Sequence, residues 1–230
     1  MTKLNAQYNV ASPNSLPVRI AAQARRKMYN CFLDCTQLQQ RESILDVGVT
    51  SERQYEASNY LEAWYPDKTR ITAVGLDDAG FLQALYPGLS FCRADGLKLP
   101  FRTAAFDVVH SSAVLEHVGG HAHQRKFIEE LTRVARRAVF ITTPNRWFPI
   151  EFHSLFPLLH WLPKPIFRKC LKLVGLAALA DEQNLNLLSG RDVRMLCREL
   201  KGWHVEQRTV STFGWPSNLI LSLRRPDVAN

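Results

Sequence analysis

Ile44-Leu45-Asp46-Val47-Gly48-Val49-Thr50-Ser51 is an apolar run that closes on Asp-x-Gly and opens into a tight loop. The run is short and continuously apolar, as strands buried on both faces of a parallel sheet are. Gly48 permits a sharp turn, and in doubly wound α/β proteins the backbone N–H groups of such a loop face a bound ligand. Outward from this stretch, the pattern predicts a helix from Ile20 to Leu38, carrying Arg25, Arg26 and Lys27 on one side, and a helix from about Glu52 to Trp64. Arg70 to Asp77 reads as a second buried strand ending in an acid, so that strand, helix and strand make a βαβ unit. Leu89 to Gly96, Ala105 to Ser111 and Ala138 to Thr143 continue the alternation as third, fourth and fifth strands.

Composition bounds the function. With 230 residues, 46% of them hydrophobic, the chain can bury one sizeable core, and a single domain is expected over 1–230. A net charge of +8 suits nucleic acid, anionic lipid or an acidic substrate without choosing among them. The five cysteines, Cys31, Cys35, Cys92, Cys170 and Cys197, are scattered and lack a Cys-x-x-Cys pair. They read as reduced cytosolic thiols, with neither a disulfide framework nor a zinc site, and no metal is expected. The N-terminus has no apolar signal region, and no segment approaches the roughly 20 apolar residues that span a bilayer.

Asp77 ends the second strand, where a carboxylate can accept from both hydroxyls of an adenosyl ribose; the alternative is a turn aspartate before Asp78-Ala79-Gly80. Further blocks follow in order: Ala94-Asp95-Gly96 with Leu99-Pro100-Phe101, and Phe106-Asp107-Val108-Val109 running into Val114-Leu115-Glu116-His117-Val118. With Ile44 to Gly48 and Val74 to Asp77, these four blocks resemble the class I S-adenosylmethionine-dependent methyltransferases of the small-molecule type, over about Glu42 to Arg146. The resemblance implies a Rossmann-like, doubly wound, mostly parallel seven-stranded α/β sheet with helices on both faces, and S-adenosyl-L-methionine as cofactor. The helix Asp192 to Leu200 and the strands Trp203 to Val210 and Asn218 to Leu223 would complete that sheet with an antiparallel pair. By resemblance, Asp46 and Gly48 shape the pocket at the methionine end, Asp77 holds the ribose, Asp95 and Gly96 hold the adenine, and Ser111 lines the junction of cofactor and substrate. A dehydrogenase reading lacks its Gly-x-Gly-x-x-Gly turn.

The family pattern Asp-x-Gly-x-Gly-x-Gly is broken here, because Thr50 and Glu52 stand where two glycines belong. Thr50 either offers a hydroxyl to the cofactor or marks a scaffold that no longer binds it. Transfer to a hydroxyl oxygen calls for a base. Glu151 and His153, after the fifth strand, read as an orienting carboxylate and catalytic base, or as a capping pair at a helix start. Asn145, Trp147 and His117 are candidate substrate contacts, His117 having packing as its alternative role.

The organisation expected is an N-terminal helical segment over 1–40, a cofactor-binding core over 42–146, an inserted apolar and basic lid over 147–190, and a C-terminal helix with strands over 191–230. Between Arg125 and Lys172 stand ten Lys/Arg against three Asp/Glu, nearly the whole formal excess of the chain. The stretch Ile166 to Ala180 reads as a basic amphipathic helix, suited to rest through 147–180 on an anionic membrane surface or to pack on the protein. The expected acceptor is a small molecule, sugar or lipid-linked compound, and the expected location is the cytoplasm, at most peripheral on the inner membrane surface. Nucleic acid is disfavoured because Ser111-Ser112-Ala113-Val114 replaces the Asn-Pro-Pro-Tyr type of block of base-modifying enzymes.

Overall fold

A computed structural model describes residues 16–53, 55–151, 153–154 and 156–226; Pro13 and most of the polar start lie outside them. Seven strands form one sheet: β1 (Ile44–Val47), β2 (Ile71–Gly75), β3 (Ser90–Arg93), β4 (Phe106–Ser112), β5 (Ala135–Pro144), β6 (His204–Thr212) and β7 (Trp215–Arg224). Their spatial order is β3-β2-β1-β4-β5-β7-β6. The first five are parallel, while β7 runs antiparallel to β5 and to β6. The order reverses between β1 and β4, and the crevice at their carboxyl ends is the topological switch point where such sheets bind ligands.

The sheet is covered on both faces because adjacent strand residues point opposite ways. Ile44, Val108, Phe140 and Ile220 pack with Met28, Tyr29 and Phe32 of α1 (Leu16–Thr36) and with Tyr60 and Leu61 of α2 (Tyr60–Trp64). Their neighbours Leu45, Val109, Val139 and Leu221 pack with Phe127, Ile128 and Leu131 of α4 (His121–Val134) and with Val193 and Leu196 of α6 (Gly190–Cys197). The remaining helix of the sheet region, α3 (Phe81–Leu85), follows β2.

Two predicted helices are shorter than expected. Among the described residues of 52–64 the helical elements are a 3₁₀ turn, Glu56–Asn59, and α2, and the Asn59 side chain is spent on the backbone of Thr50. In the lid, α5 spans Lys164–Leu173, and Gly175, at φ +80°, ends it. Gly175 N donates to Lys172 O and Leu176 N to Leu171 O, the paired bonds of a Schellman cap. Phe167 and Leu171 of α5 then close a small core with Leu179, Ala180, Leu185 and Leu187. A capping box between Ser189 and Asp192 starts α6. Among the described residues, no helix is long and apolar enough to cross a membrane.

Candidate functional site

A cavity of about 600 Å³ opens at the switch point. One wall is made by the loops after β1, β2 and β3, and carries Gly48, Thr50, Asp77, Asp95 and Gly96. Gly48 has φ +112°, and a Cβ there would stand 2.0 Å from Val114 Cγ2, so only glycine fits this turn. At Gly96 a Cβ would meet Phe127 Cε2 at 2.6 Å. Asp95 closes its own turn, Oδ1 accepting from Leu97 N at 2.8 Å. The loop without its glycines is braced from the side: Thr50 N donates to Asn59 Oδ1 at 2.9 Å, and Asn59 Nδ2 donates to Thr50 O at 3.0 Å. Thr50 Oγ1 accepts from Glu52 N, which turns the hydroxyl onto the loop.

Two residues expected at this wall are elsewhere. Ser111 is buried, its hydroxyl donating to Val47 O at 2.8 Å, and strand alternation gives the cavity Ser112 in its place. Asp46 does not line the cavity either. It stands opposite His110 in the β1–β4 register, and its Oδ1 lies 2.7 Å from His110 Nδ1, while Tyr60 Oη lies 2.8 Å from His110 Nε2. Burial pushes the Asp46 carboxyl up to about 7 and the His110 imidazolium down to about 4. Glu62 is fully buried beside them, and burial together with the neighbouring Asp46 carboxyl holds it well above the usual carboxyl range.

The opposite end of the cavity is built from Glu116, His117 and His153. Glu116 and His117 form the short turn Leu115–His117 after β4, and His153 arrives from the lid. The two imidazoles meet edge to face with centroids 4.8 Å apart. Glu151 orients the His153 ring, and the backbone N–H groups it accepts from belong to a turn and not to a helix start. Oε1 accepts from His153 N at 2.8 Å and from His153 Nδ1 at 2.5 Å, and Oε2 accepts from Ser154 N at 2.6 Å. Burial alone would raise the Glu151 carboxyl, but His153 and these N–H donors outweigh it and hold it at about 2. Burial opposes charge on His153 as well, and Glu151 and Glu116 overcome it, raising its pKa. His117, desolvated and beside His153, is held down at about 3, and burial pushes Glu116 up to about 7.

Asn145 and Trp147 do not line the cavity. Asn145 ties β5 to β7, its N donating to Ser217 O and its Nδ2 to Pro216 O, while Trp147 joins Trp161 and Trp215 in a half-exposed aromatic cluster. Sequence reasoning missed Arg25 and Met28 of α1, which line the cavity, and Asn59, Ser112 and Glu116. The basic triplet Arg25-Arg26-Lys27 was a visible signal, but helical periodicity does not say where a helix docks. Burial lowers the pKa of the Arg25 guanidinium, which leaves a poorly hydrated cation at the cavity wall.

Residues 45–141 match a family described as a methyltransferase domain. That stretch is a methyltransferase domain, and the sheet it belongs to has the class I fold. No curated protein matches it in sequence. Solved structures share the fold of this methyltransferase at low identity. The magnesium protoporphyrin IX methyltransferase of Synechocystis with bound SAH is 14% identical, at a TM-score of 0.56 over 96% of this chain and 91% of that one. The PH0226 protein of Pyrococcus horikoshii is 12% identical, at 0.59 over 94% of each chain. A SAM-dependent methyltransferase of Aquifex aeolicus is 14% identical, at 0.55 over 93% of this chain and all of that one.

Neighbours of this fold were crystallised with SAH or SAM bound, and the cavity wall of this chain fits that cofactor. A glycine turn closed by Val114, an acid after β2 and the Asp95-Gly96 turn would hold its methionine end, ribose and adenine, and Arg25 adds a cation for the methionine carboxylate. When bound, the cofactor supplies an activated methyl carbon on a sulfonium.

Proposed function

We propose that this methyltransferase methylates a hydroxyl oxygen of a small-molecule, sugar or lipid-linked acceptor. The observation that carries the reading is that one continuous cavity joins the cofactor wall to the Glu116, His117 and His153 group. An acceptor held at that group lies within the same cavity as the cofactor, which supplies proximity and alignment. Glu151 fixes the His153 ring through Nδ1, so that Nε2 is the atom presented to an acceptor hydroxyl. Removal of a hydroxyl proton needs a base or a Lewis acid at this end, and its donors suit either.

A lipid-linked acceptor is supported by the outer face of the lid. Leu158, Leu162, Ile166, Leu173 and Val174 are exposed, as are Lys169 and Lys172 of the same segment, a combination that suits the anionic, cytoplasmic face of a membrane. Peripheral contact there would bring the cavity close to a membrane-borne acceptor.

Incubation of the full chain with methyl-deuterated S-adenosylmethionine and separate lipid, metabolite, nucleic-acid and protein fractions tests the proposal. Label is expected on oxygen in the lipid or metabolite fraction. Label confined to nucleic acid or protein refutes it.

A further inference from the structure

Glu116, His117 and His153 each offer one ligand atom, and these atoms all lie within 4.8 Å of one another. Three features show which atoms they are and where they point. His117 Nδ1 lies 2.6 Å from Asn184 O; a carbonyl oxygen only accepts, so Nδ1 carries the proton and Nε2 keeps its lone pair. His153 Nδ1 is engaged by the ionised Glu151, which leaves Nε2 in the same condition when the ring is neutral. Glu116 Oε2 accepts from Thr143 Oγ1 at 2.8 Å, but Oε1, fully buried, has no hydrogen-bond partner among the described residues. A buried carboxylate oxygen without a donor is costly, the more so when charged.

We infer that Glu116 Oε1, His117 Nε2 and His153 Nε2 hold a divalent cation of the zinc class, whose open coordination position faces the cavity and takes an oxygen of the methyl acceptor. Two imidazoles and one carboxylate with a vacant position are the donor set of catalytic zinc sites. Each ligand has an outer partner that fixes it: Asn184 O for His117, Glu151 for His153 and Thr143 for Glu116. Outer partners of this kind set ring orientation and tautomer in metal sites. Ligand atoms at about 2.0–2.1 Å from a tetrahedral ion stand about 3.3 Å apart. Here His117 Nε2 and Glu116 Oε1 are 3.7 Å apart and all three ligand atoms lie within 4.8 Å of one another, so binding draws them together by up to about 1.5 Å.

The inference rests on the hydroxyl-acceptor reading above and sharpens it. With the cation bound, His153 is a ligand and not the base. The acceptor hydroxyl then loses its proton to water because the cation lowers its pKa, and the oxygen keeps the electron pair.

The test uses the full chain without a histidine tag, stripped by a chelator and dialysed against Co²⁺. One Co²⁺ per chain is expected, with the visible ligand-field absorption of an ion bound by imidazole and carboxylate. His117→Ala and His153→Ala should lose it while retaining S-adenosylmethionine binding by calorimetry, which shows that they are folded. Glu151→Gln should weaken it roughly 10–100-fold. The inference is overturned if the parent retains neither Co²⁺ nor Zn²⁺, if both His variants retain the ion unchanged, or if a thiolate charge-transfer band places it on cysteine. If the parent retains Co²⁺ through these residues but binds no S-adenosylmethionine, the cation site stands and the methyl-transfer reading falls.

Discussion

Asn59→Ala tests how a glycine-poor loop is kept in cofactor-binding shape. The Asn59 side chain accepts from Thr50 N and donates to Thr50 O, at 2.9 and 3.0 Å, and is itself buried. Alanine removes both bonds, and a typical net value of about 1 kcal/mol each gives about 2 kcal/mol. If the loop stays in place with two unpaired backbone groups, that loss appears in stability, as a fall in Tm of roughly 4–8 °C for a chain of this size. If it loosens and is solvated, the ordering cost is transferred to binding. S-adenosylmethionine affinity by calorimetry then falls roughly 5–30-fold, the equivalent of 1–2 kcal/mol. Asn59→Asp, which keeps the acceptor for Thr50 N and loses the donor to Thr50 O, should fall between parent and alanine variant. The reasoning fails if Asn59→Ala melts with the parent and binds the cofactor with the same affinity.

Three further outcomes follow from the same geometry. Gly96→Ala places a methyl 2.6 Å from Phe127 Cε2, and overpacking of about 1–3 kcal/mol should appear as a lower denaturation midpoint together with weaker cofactor binding; unchanged values for both would refute the contact. Asp77→Ala should weaken S-adenosylmethionine more than methionine in competition calorimetry, because only the former has a ribose, and equal losses would contradict that assignment. Stability should depend on pH through Glu62. Between about pH 4 and 6.5 the folded Asp46–His110 pair holds one proton on Asp46 and the unfolded pair holds one on the histidine, so this pair contributes no slope. Glu62 has a folded pKa well above its unfolded one, so its contribution is fully present below about pH 4.3 and is lost as pH rises toward the folded value. Glu62→Gln, which keeps the shape of the protonated acid, should therefore gain stability over the parent as pH rises in urea titrations, and parallel profiles would refute the claim.

Much of the fold was legible because strand identity is written locally. Apolar runs ending at Val47, Gly75 and Ser112 announce buried parallel strands, and their order with intervening helices leaves few topologies. Gly48, Thr50, Asp77, Asp95 and Gly96 were found on one cavity wall for the same reason: each follows the carboxyl end of a strand, and the sheet brings those ends together. Ser111 shows the limit. Strand alternation puts neighbouring side chains on opposite sides, so an error of one residue in phase exchanges a cavity residue for a buried one. The lid helix was overextended because its apolar spacing continues past the point where Gly175 turns left-handed, and the cap, a matter of backbone angle, ends it.

The sequence by itself determined the βαβ order, the ligand end of the sheet and the loop that lacks its glycines, since these depend on residues close together in the chain. Only the tertiary structure decided what replaces those glycines and what meets the acceptor. Asn59 reaches Thr50 across a loop, Arg25 enters from a helix that precedes β1, and His153 comes back from the lid to stand against Glu116 and His117. The first spans nine residues and the others join segments more than twenty apart, and no local period or propensity encodes them. They exist because the sheet order and the lid's own small core fix where each segment lies, and that placement is a property of packing over the whole chain.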